Sequence, residues 1–204
     1  QQIAAFSRTN IAVVAIDRAT AETSVDTILA ENCEGSYAGM KHLLDKGHRR
    51  IGIIAGPDYY APGRERLAGY LEALTKAGIQ ADDALIQRTD FKMISSQKAT
   101  RLLLNQPNPP TALFISNGQS AYGALEVVRE MKLRIPDDLA IVVFDDPEWS
   151  RIVESPLSVI AQPGYEMGRL AAELLIRRID QPDAPVQTVR LPTRFEHRSS
   201  CCKR

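Results

Sequence analysis

Apolar positions along this chain follow two rhythms. Short β-branched runs at 11–16, 51–55, 84–88, 112–116 and 139–144 predict strands. Those at 11–16, 51–55 and 139–144 carry no polar side chain at all, as parallel strands covered by helices on both faces should. Between the runs lie amphipathic segments of helical length at 35–46, 62–77, 95–105, 119–131 and 165–179. Gly47 and Gly78 stand where helices would stop, and Ser95-Ser96 stands where one would be capped. In the last segment Leu170, Leu174, Leu175 and Ile179 mark an apolar face. Repeated strand–helix–strand order predicts an α/β fold with doubly wound parallel sheet and right-handed crossovers. Pro107-Asn108-Pro109-Pro110 and 181–185 read as connectors.

In such sheets ligands gather outside the carboxyl ends of the strands. That rule selects Asp17-Arg18, Gly56-Pro57-Asp58, Asp90-Phe91, Ser116-Asn117 and Asp145-Asp146 as one polar rim. The last pair is the most pointed, because six apolar residues run directly into two carboxylates, followed by Pro147, Glu148 and Trp149.

Composition narrows the chemistry. The 204 residues suit one large or two small domains, and 25 basic residues balance 25 acidic ones. A net charge of zero argues against nucleic acid or an anionic membrane as the main partner of this portion. No apolar run has the length of a membrane span, and no signal peptide is visible. Cys33, Cys201 and Cys202 form neither a disulfide framework nor a zinc pattern, and are read as reduced cysteines in a cytoplasmic protein. His42 in a helix, His48 in a turn and His197 in the tail read as solvated or capping residues, so no metal site is expected.

Cofactor and nucleophile motifs are missing. There is no G-x-G-x-x-G after a strand, no P-loop and no G-x-S-x-G. No cofactor and no catalytic residue is expected. Adjacent side chains on a strand point to opposite faces, so Asp145 and Asp146 would share a metal only if the chain turned between them. Asp146 fits a brace for the Pro147-Glu148-Trp149 turn. Asp145 fits a carboxylate that accepts neighbouring hydroxyls of a polyol or sugar. Arg66 is a complementary donor, although a helix-surface pair with Glu65 or Asp58 is the plainer reading. Asn117 both donates and accepts, and Phe91 or Trp149 offers a plate for a ring face.

At this point the chain resembles a known family. Asn32-Cys33-Glu34-Gly35, residues 42–51 (HLLDKGHRRI), Ile54-Ala55-Gly56-Pro57 and Arg66-Leu67-Ala68-Gly69-Tyr70 match, in order, the effector-binding domain of lactose-repressor-type (LacI/GalR) transcription regulators. Residues 110–114 (PTALF), 121–125 (AYGAL), 135–139 (IPDDL), Phe144-Asp145-Asp146 and Gln162-Pro163 continue the match. The resemblance implies a periplasmic-binding-protein-like fold of type I, with two doubly wound parallel-sheet lobes joined by crossovers. It divides the chain into 1–31 in an incomplete N-terminal lobe, 32–160 in the C-terminal lobe, 161–187 returning to the first, and 188–204 as a final strand and tail on the second. It assigns effector binding to Arg66, Phe91, Asn117, Asp145 and Gln162, beside the Trp149 suggested above. Gly118 departs from the acid that often follows the asparagine, and Glu31 replaces a common aspartate.

The function so implied is a sugar-like effector sensor acting as a homodimer and not as an enzyme. Operator DNA would be reached through a helix-turn-helix headpiece that is not visible in this chain, where Gln1–Asn10 resembles the segment before a middle strand. A transport-associated sugar-binding protein of the same fold is the alternative, and a hydrolase using Asp145 and Asp146 a more distant one.

Overall fold

The computed structural model describes residues 11–17 and 25–201, so Gln1–Asn10, Arg18 and Cys202 lie outside the described residues. The described chain divides into two compact units, one formed by the residues up to Glu31 with Gln162–Thr193, the other by Asn32–Ala161 with the residues from Arg194 on.

The first unit carries a parallel three-stranded sheet in the order β1 (Val14–Ile16), β2 (Asp26–Ala30), β8 (Thr188–Leu191). The helix Gly164–Asp180 (α5) packs on it through Met167 and Ala171, against Ile28 and Ala30. Asp26 is buried at the start of β2, where its carboxylate receives Nε and Nη2 of Arg178 and the amide of Gln187. Three donors on one buried carboxylate fix the helix end and the following connector to the sheet.

The second unit holds six strands in the order β4-β3-β5-β6-β7-β9. These are β3 (Ile51–Ala55), β4 (Ile86–Arg88), β5 (Ala112–Ile115), β6 (Ala140–Phe144), β7 (Ser158–Ala161) and β9 (Arg194–Glu196). All pairings are parallel except β7 with β9. The period of two explains why the central runs are wholly apolar. Ile51, Ile53, Phe114, Val142 and Phe144 face one layer with Met40, Leu43 and Tyr70, while Ile54, Leu113, Ile115, Ile141 and Val143 face the other with Leu103, Ala124 and Val128. The first layer belongs to α1 (Asn32–Asp45) and α2 (Ala61–Lys76), the second to α3 (Met93–Leu104) and α4 (Gly118–Glu130). Each fully buried leucine or isoleucine contributes about 1.5–3 kcal/mol.

Several expectations need correction. Residues 188–191 do not form a strand on the second unit; they pair with β2, and the chain crosses back only between Thr193 and Arg194. The run at 84–88 begins as a 3-10 turn, Asp83–Leu85, because Asp82 Oδ1 accepts the Ala84 amide, and the strand is only Ile86–Arg88. The third helix starts at Met93 instead of after Ser95-Ser96; Ser96 is fully buried and donates to the Ser120 carbonyl, tying α3 to α4. Strands β2 and β7 were not expected.

Candidate functional site

Four strand ends of the second unit bring their polar residues to the carboxyl edge of its sheet. Gly56 follows β3, Thr89-Asp90-Phe91 follows β4, Ser116-Asn117 follows β5 and Asp145 follows β6. Among the described residues, four non-glycine residues have a left-handed backbone, and Asp17, Phe91 and Asp145 are three of them, each just beyond a strand. Such conformations cost energy for residues with a side chain and persist where the surroundings enforce them.

Arg66 is the anchor of this edge. It projects from α2 and is 3% exposed, which removes the surface salt-bridge reading. Its Nε donates to Asn32 Oδ1 at 2.8 Å and its Nη1 to the Ser116 carbonyl at 2.7 Å. The guanidinium carbon stands 3.7 Å from the centroid of the Phe144 ring, a cation–π contact that keeps the group flat. Nη1 lies 3.9 Å from Asp145 Oδ1. Asn32, at the start of α1, is itself oriented by donating to Glu65 Oε2 at 2.9 Å.

Asp145 points its other oxygen at the Gly118 amide, 3.2 Å away, at the first residue of α4. Gly118 thus adds a backbone donor to this corner. Asn117 is the N-cap of the same helix, its Oδ1 accepting the Ser120 amide at 2.9 Å, while its Nδ2 approaches the Phe91 carbonyl at 3.4 Å. Phe91 lies over Gly56, where an added Cβ would come within 2.0 Å of the ring, and meets Tyr60 edge-on at 6.3 Å. Ser116 Oγ is buried with no hydrogen-bond partner among the described residues.

Asp146 faces elsewhere. It accepts Arg198 through both oxygens, at 2.8 and 2.7 Å, together with Arg151 and Ser150 Oγ. Burial alone would raise its carboxyl, but the hydrogen bonds from Arg198, Arg151 and Ser150 prevail and hold it well below the usual carboxylate range. The brace reading of Asp146 is therefore enlarged, since it secures the chain after β9 as well as the local turn.

Two expected site residues are not part of this group. Trp149 lies edge-on to Tyr122 of α4 at 5.9 Å and packs on the apolar layer of α3 and α4, a packing role that the sequence did not suggest. Gln162 belongs to the first unit, immediately after the chain leaves β7. A groove of about 450 Å³ lined by Leu125, Arg129, Ile135 and Val153 lies toward the far end of α4 from Asn117, and is separate from the rim.

The histidines also read differently in the fold. His48 is buried and its Nδ1 lies 2.9 Å from Thr111 Oγ1. His42 and His197, 155 residues apart, have ring centroids 4.8 Å apart, and Cys201 is beside them. The His197–Cys201 spacing of four was the one sequence signal of this cluster. Burial, then the neighbouring His197, hold the His42 imidazole below its ordinary value.

The sequence profile of the periplasmic binding protein-like domain matches residues 40–201. The chain is 39% identical over 155 residues to the HTH-type transcriptional repressor CytR of Escherichia coli strain K12, a match covering 76% of this chain and 46% of that protein. It is 37% identical over 180 residues to the ribose operon repressor of Haemophilus influenzae, covering 88% and 54%. A solved complex of the transcriptional regulator CelR with cellobiose superposes with a TM-score of 0.85 at 34% identity, covering 92% of this chain and 58% of that one. The chain spans about half the length of the curated relatives it matches.

Proposed function

The chain belongs to the periplasmic binding protein-like domain family and is homologous to LacI-family repressors, and from that premise we propose that it is the effector-binding and dimerisation domain of a transcriptional regulator, taking a sugar or related polyol. The observation that carries the reading is the buried Arg66, flattened on Phe144 and held by Asn32 and Ser116 within 3.9 Å of Asp145 at the sheet's carboxyl edge. A buried guanidinium beside a partly exposed carboxylate offers donor and acceptor together, which is what vicinal hydroxyls require. Asp145 accepts two hydroxyl protons, Arg66 donates, Asn117 does both, and Phe91 covers a sugar face. Ribose bound to a LacI family regulator of Enterococcus faecium, and cellobiose bound to CelR, support this ligand class.

The relatives are repressors rather than transport proteins. On this reading the domain is a cytoplasmic regulatory module and not an enzyme. Asp145 and Asp146 turn to different partners and do not form an acid–base pair on one substrate. Operator DNA is the partner of the intact regulator, through a helix-turn-helix element that the described residues do not include. Effector changes operator affinity only if it binds two arrangements of the protein unequally.

A thermal-shift screen of ribose, cellobiose and nucleosides identifies the ligand, because a ligand that binds the native state raises the melting temperature. Calorimetry with the best binder then tests the site. Asp145→Ala removes an acceptor of charge-assisted hydrogen bonds worth about 1.5–3 kcal/mol each, so affinity falls by roughly 10–100-fold. Unchanged affinity overturns the assignment of the site, and no stabilisation by any sugar or nucleoside overturns the ligand class.

A further inference from the structure

Away from the carboxyl edge, three side chains with metal-binding atoms converge from two distant parts of the chain. His42 lies on α1, partly buried, with its ring centroid 5.0 Å from that of Phe195 in β9. His197 directly follows β9, and Cys201 closes the 3-10 turn Ser199–Cys201. One ring nitrogen of each histidine and Sγ of Cys201 all lie within 4.8 Å of one another.

From this convergence we propose that His42, His197 and Cys201 form a three-ligand site for a borderline divalent transition ion of the zinc class. Imidazole and thiolate are the ligands such ions prefer. Bonds of about 2.0–2.1 Å to nitrogen and about 2.3 Å to sulfur put tetrahedral ligand atoms about 3.3–3.7 Å apart. The observed spacing, within 4.8 Å, exceeds that by about 1 Å, so the side chains must close by about that much to bind the ion.

A second observation points to a ligand here. His42 Nε2 is buried with no hydrogen-bond partner among the described residues, an arrangement that costs energy unless the nitrogen is used. The thiol side is pre-positioned. Ser200 Oγ donates to the Ile141 carbonyl and accepts the Ser158 amide, which nails the turn to β6 and β7. Ser158 Oγ stands 2.9 Å from Cys201 Sγ; its proton is directed at the Arg198 carbonyl, 3.0 Å away, and would turn to a thiolate as outer-shell partners of metal ligands do. Between His197 and Cys201, Arg198 is locked onto Asp146. Both ligands of the C-terminal segment are thus held by bonds other than their own. Three protein ligands leave the fourth position to water, and the bound ion joins α1 to the strand that ends the second unit.

The test uses the whole chain, stripped with chelator and kept reduced, and titrated with Co²⁺ and then Zn²⁺. One equivalent of Co²⁺ should produce a thiolate-to-cobalt charge-transfer band, one equivalent of Zn²⁺ should abolish it, and Zn²⁺ should raise the melting temperature. Loss of an outer-shell partner alone typically costs about 10–100-fold in affinity, so His197→Ala, His42→Gln and Cys201→Ser should each weaken binding by at least about tenfold. His197 is exposed, so its variant keeps the fold and decides the matter even if the other two variants do not. Cys33→Ser should bind as the parent does. A band that survives Cys201→Ser, affinity unchanged in His197→Ala, or no band at equimolar Co²⁺ overturns the proposal.

Discussion

Asp145 and Asp146 are chain neighbours at the end of β6, yet their surroundings assign them different work. Asp145 is about one-third exposed beside Arg66 and the Gly118 amide, whereas Asp146 is enclosed by Arg198, Arg151 and Ser150. Replacing Asp146 by Asn strands the largely buried Arg198 guanidinium, and should lower unfolding free energy by about 2–3 kcal/mol in urea titrations. The sign of its pH dependence follows from the depressed carboxyl. The stabilisation is complete above the unfolded value of about 3.9 and is lost as pH falls below it. Stability of the parent should therefore drop more steeply below about pH 4 than that of Asp146→Asn; parallel curves would show that Asp146 is not the group responsible. Gly56 poses a different question, because the three atoms an added methyl would approach most closely all belong to the Phe91 ring. Gly56→Ala should weaken effector binding by several-fold through the displaced ring, with little change in stability, when calorimetry and urea unfolding are compared. The two aspartates could be given separate roles from the sequence on the premise of strand alternation, but both lie beyond β6 and it is the left-handed backbone at Asp145 that separates them. Trp149 could not be placed, since a lone aromatic after a turn serves equally as a ligand plate or as packing, and only the position of Tyr122 decides between them.

At the scale of elements, helix packing rests on close backbone approach at particular glycines. A Cβ at Gly69 of α2 would stand 2.2 Å from the Cys33 carbonyl oxygen of α1, and neither backbone can yield without moving a helix. Gly69→Ala should destabilise by about 1–3 kcal/mol despite the better helix propensity of alanine. Gly168 within α5 meets nothing within 4 Å, so Gly168→Ala should stabilise by about 0.5–1 kcal/mol. Opposite signs in chemical unfolding check both positions at once; a stabilising Gly69→Ala would mean that α1 and α2 are less tightly apposed. Element legibility followed polarity. The uninterrupted apolar runs that became β3 and β6 were readable because both faces are buried. Strand β2 was not, because it opens with the polar Asp26 and Thr27, and the burial of Asp26 depends on Arg178 and Gln187, 152 and 161 residues further on. Strand β7 likewise opens with Ser158, whose hydroxyl is satisfied by Arg198. A pattern confined to neighbours cannot report partners supplied by the far end of the chain. The same reason hid the cluster of His42, His197 and Cys201.

On the scale of the whole molecule, the chain passes between its units three times, at 31–32, 161–162 and 193–194. Any effector-driven change in their arrangement must be absorbed at these three short links, which makes them the hinge candidates. The proposed homodimer needs a surface for a second copy, and the second unit carries a candidate. Ile94 and Leu102 of α3 are 63% and 62% exposed, and Tyr122 of the adjoining α4 is 48% exposed. Exposed apolar side chains scattered singly need no explanation, but three on two helices that pack side by side suit the centre of a two-fold interface. The chain should sediment as a dimer at micromolar concentration, and Leu102→Glu with Tyr122→Glu should convert it to a monomer with unchanged circular dichroism. Each glutamate would place two copies of one charge near the two-fold axis, where water cannot screen them, so separation of the copies costs less than burial. Persistence of the dimer in the double variant would move the interface off the α3–α4 face, and a monomeric parent would mean that these two units do not by themselves hold the copies together.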